Sequence, residues 1–168
     1  MRYSTLLTLL IVAGLAACNG QSTALTEQAE LQIPGDAVSI TVDPVVSTQY
    51  SGVREARRLV IRDAEAWIAF WDEVTAVVTP RPEPPAVDFE QEMVIAAAMG
   101  QRATGGYTIS IPEVYQQEGS VYAVVKEVAP AANCIVTQAL SAPVVAVSMP
   151  RSEDAVSFVE REETVECR

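Results

Sequence analysis

The stretch VDFEQEMVIAAAMGQRATGGYTISI, residues 87–111, decides how this chain folds. Met93 to Met99 (MVIAAAM) is an apolar run closed by acids on one side and Gly100 on the other. Alanine favours helix, but the run is too short for a buried helix, and its length and glycine boundary predict a central strand. Tyr107-Thr108-Ile109-Ser110-Ile111 alternates apolar and polar residues, the pattern of a strand with one buried face. Between them lies Arg102-Ala103-Thr104-Gly105-Gly106-Tyr107. Consecutive glycines permit positive φ or a close backbone approach, so this segment predicts a tight turn between two core strands.

Working upstream, Arg58 to Arg62 reads as a short strand and Asp63 as the N-cap of a helix, with Glu65 in the first turn where the helix dipole favours an anion. Trp67, Phe70, Trp71, Val74 and Val78 recur at helical spacing and form one stripe, expected to pack a helix onto a sheet. Pro80 ends that helix, and Arg81-Pro82-Glu83-Pro84-Pro85 is an extended, stiff connector. Tyr50 to Val53 reads as a turn. Val38 to Val46 alternates at first, with Val38, Ile40 and Val42 on one face, and Pro44 restricts it to a sheet edge or an early end.

Downstream, Pro112 interrupts the alternating strand, with Val114-Tyr115 continuing past a bulge. Gln116 to Ser120 is a hairpin loop into Val121–Val128. Ala129 to Ala142 is a longer excursion, and Val144–Ser148 and Val156–Val159 are the last strands. One helix against about seven strands argues for an α+β fold: a mostly antiparallel, twisted sheet, sandwich or half-barrel like, with the aromatic-faced helix packed on it.

The charge is −11, from 11 basic and 22 acidic residues, and there is no histidine. An acidic surface repels phosphate backbones, so no nucleic-acid partner is expected. Without histidine the chain lacks Ser-His-Asp and Cys-His nucleophile activation and His-ligated zinc. The expectation is a protein that is not an enzyme and needs no cofactor or metal. Asp88, Glu90 and Glu92 alternate as ligands for a hard cation would, but the other ligands of a dedicated site are missing. A solvated start to the strand, or a turn capped by Asp88, accounts for them.

Residues 1–17 open with Met1-Arg2 and continue in an apolar run from Leu6 to Ala17. That run is shorter than the roughly 20 residues a bilayer demands and matches a signal-peptide core. It ends in Leu15-Ala16-Ala17-Cys18, which resembles the bacterial lipobox. That resemblance implies acylation of Cys18, stable anchoring without a transmembrane helix and, with Asn19 next, an outer-membrane address in the cell envelope. Residues 18–37 then form a flexible tether and residues 38–168 a single domain. With Cys18 acylated, Cys134 and Cys167 remain as a pair in an oxidising compartment, where a disulfide is expected.

Several short motifs follow one another along the chain. Asp63-x3-Trp67-x3-Trp71, Val87-Asp88-Phe89, Met93-Val94-Ile95, Gly100-Gln101-Arg102, Thr104-Gly105-Gly106-Tyr107-x-Ile109, Pro130-x3-Cys134 and Ser141-x-Pro143 together resemble the PrcB C-terminal-domain-like family. The family is named for a lipoprotein that associates with and stabilises a surface subtilisin-like protease complex. The resemblance therefore implies a non-catalytic accessory domain with a protein partner. Thr104-Gly105-Gly106-Tyr107 alone is similar to the wedge loop of chagasin-type cysteine-protease inhibitors, whose other two loops have no counterpart here. Protease inhibition and a structural envelope role stand as alternatives. Arg102, Thr104, Gly105, Gly106 and Tyr107 form either a partner-binding tip or only a turn.

Overall fold

The computed structural model describes residues 32–166 as two four-stranded sheets packed face to face, with one helix on the outside. The leader 1–17, Cys18, the tether up to residue 31 and Cys167 lie outside the described residues.

The first sheet orders its strands β1 (Val38–Ile40), β5 (Thr108–Gln117), β6 (Ser120–Pro130) and β8 (Ala155–Val165). The second orders β2 (Asp43–Thr48), β7 (Val144–Pro150), β4 (Glu92–Met99) and β3 (Ala56–Ile61). Every pairing is antiparallel except β6 with β8, which runs parallel from Ser120↔Ala155 to Pro130↔Val165. The fold is the expected α+β sandwich, with no closed barrel.

β4 is central, between β7 and β3, and is buried on both faces. This explains why MVIAAAM carries no polar alternation. Met93, Ile95, Ala97 and Met99 point between the sheets, where they meet Ile109, Val114, Val121 and Val147. Val94, Ala96 and Ala98 point outward beneath helix α1 (Ala64–Val74). The small alanines leave room for Trp67 and Phe70, each under 5% exposed. Asp63 caps the helix as expected, its Oδ1 accepting the Ala66 N–H at 2.8 Å. The helix ends at Val74, one turn before the stripe does, so Val78 is 44% exposed rather than packed. The proline connector is pinned along α1: Trp67 Nε1 donates to the Pro85 carbonyl at 3.0 Å and Trp71 Nε1 to that of Pro82 at 2.8 Å.

Three elements differ from the sequence reading. Val38–Val46 is shared between the sheets: β1 ends early at Ile40 on the edge of the first, and β2, which carries Pro44, is an edge strand of the second, as the proline requires. The chain crosses between them with Ile40 and Val42 packed against the inner core. β8 runs well past Val159, because an edge strand paired along one side leaves Glu160, Glu162 and Glu163 in solvent. The third concerns the glycine turn. β4 and β5 do not form a hairpin; they belong to opposite sheets, and residues 100–107 carry the chain across the sandwich. The hairpin that does form is β5–β6, with Glu118 and Gly119 both at positive φ and the expected bulge between Ser110 and Glu113.

The registers give the sandwich two distinct poles. One holds the β5–β6 hairpin, residues 151–154 and the N-terminal approach, tied by Gln117 Nε2 donating to Asp36 Oδ1 and Gln116 Nε2 to Asp154 Oδ2. The other holds residues 49–55, the 100–107 crossing, the 131–143 excursion and the end of β8. An ionic clasp joins the β3 and β8 edges. Arg58 donates to Glu160 at 2.7 and 2.9 Å and to Glu127 at 2.7 Å. Burial works against the Arg58 charge, but the bonds to Glu160 and Glu127 win and hold its pKa above the ordinary value.

Candidate functional site

The candidate partner-binding tip is tied back to the body of the domain at Arg102, Gly105 and Tyr107, while Ala103 and Gly106 stay exposed. Arg102 pairs in a β-bridge with Ser141, whose hydroxyl donates to the Thr104 carbonyl at 2.6 Å. The Arg102 guanidinium lies 3.6 Å from a Glu127 carboxylate oxygen and 5.6 Å from the centre of the Tyr107 ring. This is an ion pair with a cation–π contact, both within the molecule. Gly105 is buried and its N–H donates to the Thr137 carbonyl at 2.9 Å. Gly106 adopts φ +90°, and a Cβ there would meet Val136 Cγ1 at 2.9 Å and Pro130 Cγ at 3.1 Å. The structure thus brings all five named residues together, and their contacts secure the sheet crossing against the 131–143 excursion. Thr104 and Tyr107 remain half-buried, with no projecting wedge.

The acid cluster is likewise put to local use. Asp88 Oδ1 accepts the Glu90 N–H at 3.1 Å and Oδ2 accepts from Gln91 Nε2 at 2.9 Å. Glu92 Oε1 accepts the Ser148 hydroxyl at 2.9 Å. Among the described residues no group of three His, Cys, Asp or Glu side chains is placed to hold a metal ion.

What the sequence reading missed lies beside the crossing, on the same pole. A cleft of about 560 Å³ opens between residues 50–54, the turn after α1 and residues 140–142. Its walls include Tyr50, Val77 and Leu140, which are 55, 60 and 62% exposed. The segment is held close: a Cβ on Gly52 would stand 2.4 Å from the Glu73 carbonyl oxygen. Tyr50-Ser51-Gly52-Val53 is legible only as a turn, and no local signal links it to Val77 or Leu140. A second apolar depression on this pole joins Gly106, Pro130, Ile135 and Val165, with Ile135 fully exposed. Exposed apolar surface gathered at one end of a domain marks a docking face more often than scattered apolar residues do.

Cleft and loop pole thus sit together at one end of the two-sheet scaffold. Residues 93–150, from β4 to β7, match the family model described as PrcB C-terminal. That is the family its motifs resemble, and this segment supplies the two inner strands of each sheet. No curated protein and no solved structure matches the chain.

Proposed function

We propose that the chain is a bacterial envelope lipoprotein whose single domain binds protein as a non-catalytic accessory to a protease complex. The PrcB C-terminal match is the observation that carries this reading, since that family implies association with a protease complex. The anchoring half rests on the leader, with acylated Cys18 in the outer membrane and the chain up to residue 37 as tether. The chain enters the domain at the hairpin pole, so a molecule anchored in this way would turn its loop pole away from the membrane. We further propose the Cys134–Cys167 disulfide. The Cys134 sulfur lies 3.6 Å from the carbonyl oxygen of Val165, two residues before Cys167. The Gly105–Gly106 segment, tied by the Gly105 N–H to the Thr137 carbonyl, gives inhibition by a wedge loop no support.

The test is affinity capture of the full-length protein from solubilised envelopes, with and without the gene for the chain in the host. The expected result is one co-purifying protease whose half-life shortens when the chain is deleted. A protease whose abundance ignores the deletion, or no protease at all, contradicts the accessory reading. A Cys18→Ser form that stays in the membrane fraction contradicts the anchor.

A further inference from the structure

We propose that the cleft bounded by Tyr50, Val77 and Leu140 seats an apolar segment of a partner protein that carries a carboxylate, with Arg54 as its counter-ion. The proposal deepens the protein-binding reading above and rests on it.

Three observations converge. The first is apolar exposure: three large side chains, from residues 50, 77 and 140, face one cleft while each stays more than half exposed. Burying them under a partner is favourable at roughly 25 cal/mol per Å² of apolar surface. A cleft of about 560 Å³ is the size of sites that take a few side chains or a small ligand.

The second is charge. Arg54 is the one charged residue in the cleft lining, and among the described residues it makes no ion pair. Most other cations are committed, Arg57 to Glu73, Arg58 to Glu127 and Glu160, Arg102 to Glu127 and Lys126 to Glu163. Arg54 is exposed and lines this apolar cleft, and an arginine without an ion pair selects a carboxylate, which its guanidinium can grip through two parallel hydrogen bonds. The chain's net charge of −11 opposes polyacidic partners at long range, and that field is screened beyond about 8 Å at physiological salt. An apolar segment with a single acid satisfies both conditions.

The third is that the cleft is already formed. Ser51 Oγ donates to the Ala142 carbonyl at 2.8 Å, Ala142 N–H to that of Gln49 at 2.9 Å, and Gln101 N–H to that of Arg54 at 2.9 Å. Rigid walls lower the ordering cost of binding. The chain's own N-terminal approach arrives at the opposite pole, beside Gln117, which favours a separate molecule as occupant.

Fluorescence anisotropy on the full-length protein in detergent tests this. The probes are a labelled panel of apolar heptapeptides with a central Asp, and the same panel with Asn. Saturable binding is expected, with Asp peptides at least about fivefold tighter than Asn peptides. Arg54→Gln is expected to erase that preference while leaving Asn peptides unchanged, and Leu140→Asp to weaken both about tenfold or more. Circular dichroism should show both variants folded, as suits exposed positions. No binding, equal binding of Asp and Asn peptides, or a preference that survives Arg54→Gln overturns the proposal. So does a wild-type dimer that Leu140→Asp converts to monomer, since the cleft would then seat a second copy. Peptide binding that follows the expected pattern, with no protease captured from envelopes, refutes the accessory reading and upholds the cleft. A captured protease indifferent to both variants refutes the cleft alone.

Discussion

The 100–107 crossing and the 50–54 segment sit side by side on one pole and use their residues in opposite ways. The crossing is rich in special residues: Arg102, Gly105 and Tyr107 each make an internal contact, and Gly106 sits at positive φ with no room for a side chain. The 50–54 segment looks ordinary, yet it leaves Tyr50 and Arg54 exposed beside an apolar cleft. Glycine pairs, aromatic residues and an arginine close together therefore mark a place where backbone geometry is demanding. Surface that is available to a partner is marked instead by large apolar side chains that the fold declines to bury.

This contrast breaks most sharply at Gly106. Gly106→Val places a branched side chain at φ +90° against Val136 and Pro130. The expected loss is about 4 kcal/mol, combining backbone strain with overpacking, read from urea unfolding. A loss below about 1 kcal/mol would mean the crossing is loose and free to act as a tip. Cys134→Ser comes next, at about 3 kcal/mol for opening a loop of this length, provided the proposed disulfide forms. Non-reducing peptide mapping checks the bond itself. Third is Arg58→Ala, which strips the clasp between the sheet edges and leaves the Glu127 carboxylate, 16% exposed, with only Arg102 nearby. About 2 kcal/mol is expected, the order for a charged partner left poorly satisfied. Smallest is Leu140→Ala in the cleft, within about 0.5 kcal/mol of wild type, as for other surface positions without a packing role. A larger effect there would move the cleft from the docking side of the comparison to the structural side.

Much of the fold was legible because burial writes itself into periodicity. MVIAAAM named its own central position, and Trp67, Phe70 and Val74 named the face of α1 that packs. What period-2 alternation cannot encode is which sheet a strand joins. Nothing in Tyr107–Ile111 says that its neighbour is Val128 of β6 rather than β4, and nothing in Val38–Val46 announces a change of sheet at Thr41. The far half of β8 was hidden because acids at a solvent edge resemble a loop. The cleft was hidden for a different reason: its apolar walls come from residues 50, 77 and 140, which only the tertiary fold brings together. The glycine turn was read correctly as a place of demanding geometry. Its residues could not show that the demand came from crossing the sandwich.

The most direct test of where this molecule meets its partner is site-specific photocrosslinking in intact envelopes. A photoreactive residue would be placed in turn at Leu140 in the cleft, at Gly119 on the β5–β6 hairpin and at Tyr107 in the crossing. A discrete protein adduct from position 140, with none from 119 or 107, is the predicted result. An adduct from 107 or 119 with position 140 silent would contradict it.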